Sequence, residues 1–170
     1  MEVLSALPEH VSAIAEIHVA TWKAAYQGIV PEATLAALSV ERREEYWRTA
    51  IAKGTPQVLI ARVANDVAGW IAFGACRDVG APSDASELQG IYISAEYWSR
   101  GVGQALWLSA RQRLIKQHYR TVSLWVLADN QRAIRFYRAA GFQLEASSSK
   151  EITMSGKVLR EDRYIAALDG

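Results

Sequence analysis

Residues 98–106 carry the pattern with the clearest chemical meaning, a Gly-x-Gly turn at Gly101 and Gly103. The turn follows a short apolar run and precedes a helical pattern, which predicts a helix that begins at the glycines. The first N–H groups of a helix have no partner within it and lie at the positive end of its dipole. Because glycine lets a ligand approach the backbone closely, the pattern favours phosphate binding. The alternative is a plain turn in which glycine only lets the chain change direction.

Two well-known phosphate loops do not match this spacing. A dinucleotide-binding turn needs a small residue at position 106, and Leu106 therefore excludes a redox nucleotide site. A P-loop needs Gly-Lys-Ser/Thr after four spacer residues, and the chain contains no such string. The predicted phosphate ligand is thus of another kind.

Charge is unevenly distributed along the chain, although the net charge is only +1. The segment 98–140 contains eight lysines and arginines against one acid, Asp129, so it carries +7 and the remainder −6. A nearly neutral chain with one basic segment suits a small polyanion better than a nucleic acid. Arg100, Arg135 and Arg138 flank the candidate sites, whereas the basic residues on the helix after the glycines are explained equally well as a solvated face. No spacing of His, Cys or acids suggests a metal site.

The composition is that of an ordinary soluble protein, with 51% hydrophobic and 22% charged residues. A length of 170 residues favours a single domain over residues 1–170. The chain has no apolar run of membrane-spanning length and no signal-like N-terminus, so we expect a cytoplasmic location and no membrane partner. The lone cysteine, Cys76, is expected to be a small buried residue in a strand.

The elements that must position the turn follow from periodicity and from the breaks between apolar segments. Asn65-Asp66 marks a hairpin, and Asp129 or Asn130 caps a helix that ends at Gly141. One mixed α/β sheet flanked by helices follows from this order. The predicted strands are 2–6, 57–64, 67–75, 87–94, 121–127, 142–153 and 157–166, and the predicted helices are 8–28, a short one from 31, 41–52, 101–117 and 130–140.

Two blocks in this order resemble the GNAT superfamily of N-acetyltransferases, and the resemblance covers nearly the full chain. The segment from Trp98 to Gly103 is similar to the family's Q/R-x-x-G-x-G/A turn, with Trp98 in place of the usual Gln or Arg. The segment from Asn130 to Phe142 is similar to the family's N-x-x-A-x-x-F/L-Y-x-x-x-G-F pattern at each defining position. The resemblance implies an α/β (α+β) GNAT fold, whose mixed, mostly antiparallel sheet of about seven strands is splayed between strands 4 and 5.

The resemblance also implies acetyl-CoA as the cofactor, coenzyme A as a product, and direct attack by a primary amine in a ternary complex. Asn130 would contact the pantetheine arm in addition to capping its helix. A bulge would splay the fourth strand and free backbone groups for the pantetheine and the thioester carbonyl, at Ile91, Tyr92 and Ile93. The pyrophosphate would lie on the glycine turn, at Ser99, Arg100, Gly101, Val102 and Gly103.

The reaction also needs proton transfer, because only about one in a thousand lysine-like amines is neutral near pH 7.4. Glu87 is the candidate base, through a water, since an acid on an apolar strand could have a raised pKa. The alternative is an exposed residue at a strand start. The resemblance implies that Tyr137 reprotonates the departing thiolate, whereas in other contexts it would be a core or lid residue. The three histidines are weaker candidates.

The resemblance implies that the N-terminal helices form the acceptor pocket. Its candidate residues are aromatic, with faces suited to a cation or a flat apolar group, although each could instead be core: Trp22, Tyr26, Trp70, Tyr92 and Trp125. We expect a small-molecule amine as acceptor. The alternatives are a protein or peptide N-acetyltransferase and a regulatory module that binds acyl-CoA without turnover, against which Tyr137 and Glu87 argue. An unpaired edge at the C-terminal strands would also allow a homodimer.

Overall fold

The N-terminal part of the chain supplies half of the sheet and three helices. The computed structural model describes residues 1–168, and none of the helices in that range is long and apolar enough to cross a membrane. Helix α3 begins after Ser39, whose hydroxyl accepts from the Arg42 N–H at 3.3 Å, and ends at Gly54 with a φ of +67°. The elements are β1 (Glu2–Ser5), a 3₁₀ turn (Pro8–His10), α1 (Val11–Tyr26), α2 (Glu32–Ala36), α3 (Val40–Lys53), β2 (Gln57–Val63), β3 (Asp66–Ala75) and β4 (Ala85–Ile93).

The C-terminal part contains α4 (Val102–Lys116), β5 (Thr121–Leu127), α5 (Gln131–Ala139), β6 (Gln143–Leu144), β7 (Lys150–Met154) and β8 (Lys157–Ala167). The single strand predicted over 142–153 is therefore wrong, because the chain leaves the sheet between β6 and β7. Ser147 has a φ of +60° there. The Ser148 hydroxyl donates to the Glu145 carbonyl at 2.6 Å and accepts from the Arg163 N–H at 3.1 Å, so side-chain bonds replace the ladder.

The eight strands form one sheet in the order β1-β2-β3-β4-β5-β8-β6, with β7 also paired to β8. All pairs are antiparallel except β4 and β5, which are parallel. These two strands pair only at Ala85–Glu87 with Thr121–Ser123. The register of β4 against β3 shifts between Leu88 and Gly90, which leaves Gln89 as a bulge. The predicted splay between strands 4 and 5 is thus confirmed.

Helices cover both faces of the sheet. On one face α4 and α5 pack against residues such as Leu59, Ile71 and Val122, all completely buried. On the other face α1 and α3 pack against the alternate residues of the same strands, such as Ile60 and Trp70. Because strands β2 and β3 are covered on both sides, they read as nearly continuous apolar runs. The splayed ends of β4 and β5 therefore lie between helices on either side.

Candidate active site

A cavity of about 740 Å³ opens where β4 and β5 separate, a size within the range of cofactor and substrate sites. Beyond Glu87, neither strand has a partner across the gap, so the backbone groups that face it are available to a ligand. The N-terminus of α4 and helix α5 border one side of the cavity, and α1 borders the other. Lys150 and Met154 of β7 and Glu161 of β8 line its far end.

The glycine turn brings the N-terminus of α4 to this cavity. Gly101 is the N-cap and has a φ of +81°, a left-handed conformation that favours glycine. A Cβ on Gly103 would lie 3.1 Å from Phe136 Cε2, so this position has almost no room for a side chain. The predicted residues Ser99, Gly101, Val102 and Gly103 all line the cavity. The unpaired N–H groups and the positive dipole end of α4 are therefore directed at the space that a phosphate group would need.

Trp98 and Arg132 form a stacked pair beside the glycine turn. The Trp98 indole N–H donates to the Ile93 carbonyl at 2.7 Å, and the Arg132 guanidinium carbon lies 3.3 Å from the centre of the indole. Both residues line the cavity. Sequence patterns do not predict this contact, because it depends on how α5 packs against the turn. Arg100, predicted as a phosphate contact, lies instead outside the cavity lining, with its guanidinium 5.9 Å from the centre of the Tyr97 ring.

The predicted strand residues Ile91, Tyr92 and Ile93 all line the cavity. The Ile93 carbonyl already accepts from Trp98 and from the Thr21 hydroxyl, at 3.4 Å. Because a carbonyl oxygen has two lone pairs, both of its acceptor positions are used. The Ile93 carbonyl is therefore not free to accept from a ligand, and the other backbone groups on the unpaired edge of β4 beyond Glu87 remain available.

Three tyrosines line the cavity, from α1, β4 and α5: Tyr26 and Tyr92 are partly buried, and Tyr137 is buried. Burial is the main cause that raises the pKa of each hydroxyl above its ordinary value. A hydrogen bond from the Asn130 side chain offsets part of this rise in the pKa of Tyr26. The Tyr92 hydroxyl accepts from the Trp22 indole N–H at 3.1 Å. All three phenols therefore keep their protons near neutral pH and can act as proton donors.

Helix α5 holds Tyr137 and Asn130 in place at the cavity wall. The Asn130 side chain caps α5, because its Oδ1 accepts from the Ala133 N–H at 3.2 Å, and the residue also lines the cavity. After the helix, Gly141 has a φ of +95° and returns the chain so that Phe142 packs 5.8 Å from the Tyr137 ring. Because Phe142 is only 2% exposed, it fixes the ring that it contacts.

Glu87 lies at the point where β4 and β5 separate, and it lines the cavity. Only 5% of the residue is exposed, so the alternative of a solvated residue at a strand start is wrong. The Arg77 guanidinium donates to both carboxylate oxygens, with Nε 2.9 Å from Oε2 and an Nη 2.7 Å from Oε1. The Arg77 backbone N–H also donates to Oε2, at 3.2 Å. These hydrogen bonds raise the pKa of Arg77. The carboxylate is therefore held in one orientation toward the cavity.

Of the aromatic residues predicted for the acceptor pocket, Trp22, Tyr26, Tyr92 and Trp125 line the cavity. Trp70 does not. It is only 1% exposed, its indole N–H donates to the Ile14 carbonyl at 3.1 Å, and it packs 4.5 Å from Trp47 in the core. The prediction of Trp70 as a pocket residue is therefore corrected, because its side chain points into the layer between the sheet and the N-terminal helices.

The far end of the cavity contains charged residues that sequence patterns did not single out. Lys150 and Glu161 are direct cross-strand partners on β7 and β8, joined by an ion pair of 3.7 Å. The Lys150 ammonium lies 3.8 Å from the centre of the Trp125 ring. The sequence predicts a hairpin at Ser155-Gly156, but it does not give the register of the two strands, and Lys150 and Glu161 are opposite each other only in the observed register. The contact of Lys150 with Trp125 depends on pairing between β5 and β8.

Residues 1–168 contain no group of three or more His, Cys, Asp and Glu side chains that could hold a metal ion.

The buried His18 is part of the core beside the cavity. Its Nδ1 accepts from the Trp47 indole N–H at 3.2 Å, and burial lowers its pKa from 6.5 to about 3. His18 is therefore a neutral core residue that stacks on Tyr92, with ring centres 5.1 Å apart.

The chain is similar to a known N-acetyltransferase in sequence and to solved structures in fold. Among curated sequences, the chain is 30% identical to the uncharacterized N-acetyltransferase YuaI of Bacillus subtilis over 145 residues, which cover 85% of this chain and 81% of that protein. Among solved structures, it matches the PaiA N-acetyltransferase of Thermoplasma acidophilum in complex with coenzyme A, with a TM-score of 0.80, 20% identity and 98% of each chain covered. It also matches the ribosomal-protein-alanine N-acetyltransferase of Brucella melitensis, with a TM-score of 0.78, 17% identity and coverage of 98% of this chain and 99% of the other.

The glycine turn, the splayed strands and helix α5 all lie within one matched region. Residues 14–142 match the model of the acetyltransferase (GNAT) family. This range includes the glycine turn at one end of α4 and extends to Phe142 after α5. The chain therefore belongs to the acetyltransferase (GNAT) family.

Proposed function

We propose that this acetyl-CoA-dependent acetyltransferase transfers its acetyl group to the primary amine of a small molecule, by direct attack within a ternary complex. The observation that carries the choice of acceptor is a pair of surface hydrogen bonds next to the cavity residues Tyr26 and Met154. Thr34 and Ser155 join their hydroxyls at 2.6 Å, and the Lys157 ammonium donates to the Ile29 carbonyl at 2.9 Å. These bonds tie the segment after α1 to the β7–β8 turn, which favours a chamber for a small amine over an open groove for a polypeptide.

The cofactor end of the proposal rests on the α4 N-terminus. Its free N–H groups and the lack of room for a side chain at Gly103 suit a pyrophosphate held by the backbone. The Arg132 guanidinium on Trp98 adds a positive charge beside this position. The free edge of β4 before Ile93, together with Asn130, would hold the pantetheine arm.

The chemistry needs a proton acceptor for the amine and a proton donor for the leaving thiolate. Acetyl-CoA supplies the acetyl group as a thioester. We assign Glu87 as the base, through a water, because its carboxylate is fixed by Arg77 and lines the cavity. We assign Tyr137 as the acid. The residue lines the cavity, and burial from bulk solvent keeps its hydroxyl protonated. With acetyl-CoA and the acceptor bound, Glu87 would take one proton from the ammonium through the water, and the free amine would bond to the carbonyl carbon as the carbon–sulfur bond breaks. Tyr137 would donate its proton to sulfur, and the second proton lost by the nitrogen would restore the phenol.

Thiol release from acetyl-CoA, measured against a panel of polyamines, aminoglycosides, amino acids and N-terminal peptides, tests this function. We expect turnover with a small amine and none with peptides that present the same amine on a longer chain. Preferred turnover of peptides would instead identify a protein N-acetyltransferase. Tight acetyl-CoA binding without turnover of any amine would identify a regulatory module. Either outcome would overturn the proposal.

A further inference from the structure

A lysine ammonium already occupies a cation position inside the cavity. Lys150 on β7 places its ammonium 3.8 Å from the centre of the Trp125 ring and 3.7 Å from a Glu161 carboxylate oxygen. All three residues line the same cavity as the glycine turn and Tyr137. A cation over an indole face and beside a carboxylate gains from both the ring quadrupole and the opposite charge.

Glu161 differs from the other carboxylates of the cavity in how it is held. Glu87 accepts three hydrogen bonds from Arg77. Asp78 accepts from the Trp125 indole at 3.2 Å and from Arg163 at 3.1 Å. The ion pair of Glu161 with Lys150, at 3.7 Å, is longer than a hydrogen bond. Its carboxylate is the cavity acid whose charged partner can be exchanged most easily.

The exposure of the two side chains indicates which one can leave. The Glu161 side chain is 20% exposed, whereas that of Lys150 is 46% exposed. A lysine on an exposed strand can turn its flexible stem toward solvent at little cost. The Glu161 carboxylate would stay in the cavity near Tyr26 and Tyr92, whose pKa values are raised mainly by burial and further by the Glu161 charge.

We propose that Glu161 and Trp125 bind the ammonium group of the acceptor, and that the Lys150 ammonium holds this position until the acceptor displaces it. This inference rests on the proposed function, since an amine acceptor arrives mostly as its ammonium form. Glu161 thereby selects a cation and directs it toward the splayed strands. Because the acceptor ammonium must displace that of Lys150, the contacts of Lys150 with Glu161 and Trp125 weaken the binding of the acceptor.

The test uses spermidine as the probe, titrated calorimetrically into the CoA-loaded protein. Glu161→Gln keeps the side-chain size and removes the charge, so we expect spermidine to bind about tenfold more weakly. Lys150→Met keeps the apolar stem and removes the competitor, so we expect binding about threefold tighter. The matched control is Arg62→Met. It breaks another cross-strand ion pair, Arg62–Glu2 at 2.8 Å, on strands β1 and β2 outside the cavity, and we expect unchanged affinity.

An ordinary cross-strand ion pair predicts a different pattern. In that case Lys150→Met and Arg62→Met would change the free energy of unfolding alike and leave spermidine binding as in the wild type. Equal spermidine affinity in the wild type, Glu161→Gln and Lys150→Met would overturn the inference, as would a wild-type protein that does not bind spermidine. Failure of the proposed function is separate, because it would appear as no thiol release with any amine while acetyl-CoA still binds.

Discussion

Gly101 allows the proposed phosphate site to be tested through the backbone alone. Its φ of +81° lies in the left-handed region, where a side chain costs about 1 to 2 kcal/mol. A Cβ there would meet nothing within 4 Å, so Gly101→Ala adds no steric clash. Because the residue is exposed, the free protein can relieve the strain by relaxing the turn, and binding must then restore it. The expected result is a rise of roughly 5- to 30-fold in the Kd for acetyl-CoA.

Calorimetric titration with acetyl-CoA, paired with thermal unfolding, measures this effect. The control is Gly54→Ala at the end of α3, where φ is +67° and a Cβ again meets nothing within 4 Å. This variant carries the same backbone cost outside the cavity, so it should lose stability and keep the wild-type Kd. Gly101→Asn should bind with intermediate affinity, because asparagine tolerates the left-handed conformation better than alanine. Wild-type affinity in Gly101→Ala would refute the assignment of this turn to the pyrophosphate.

Three further predictions concern proton transfer and stability. Tyr137→Phe should lower kcat about 100-fold with little change in the Kd for acetyl-CoA, and wild-type turnover in the thiol-release assay would show that another group donates the proton. Glu87→Gln should lower activity most at low pH, where the amine is hardest to deprotonate, and an unaltered pH–rate profile would exclude Glu87 as the base. His18 has its pKa lowered from 6.5 to about 3, so the unfolded chain binds a proton that the folded one does not as pH falls below 6.5. Stability should therefore decrease by about 1.4 kcal/mol per pH unit between these values, and denaturant titrations of His18→Asn, which keeps an acceptor for Trp47, should lack this contribution.

Features that depend on neighbouring residues were predictable from the sequence. The helix start at the Gly101-x-Gly103 turn and the cap at Asn130, one of the two predicted cap residues, each follow from local backbone chemistry, and the structure has both. The break between β6 and β7 was not predictable in the same way. It depends on hydrogen bonds that Ser148 makes with Arg163 on a strand further along the chain. The strand predicted over 142–153 therefore ran through residues 145–149, although the three consecutive serines there favour a turn.

Features that depend on how helices and strands pack against each other were harder to predict from the sequence. Trp70 lies on a strand that is covered on both faces, so its apolar neighbours do not distinguish a core indole from a pocket indole. Arg132, Lys150 and Glu161 acquire their positions from contacts with Trp98, Trp125 and each other across several elements. The sequence shows that these residues are charged, but it does not show which residues they contact.

The most direct test of the central claim is a time course of thiol release with mass spectrometry of the amine, using purified protein, acetyl-CoA and the small-amine panel. We predict amine-dependent release of coenzyme A, matched one for one by an N-acetylated small-molecule product. Acetyl-CoA that binds but yields no amine-dependent thiol and no acetylated product would contradict the account.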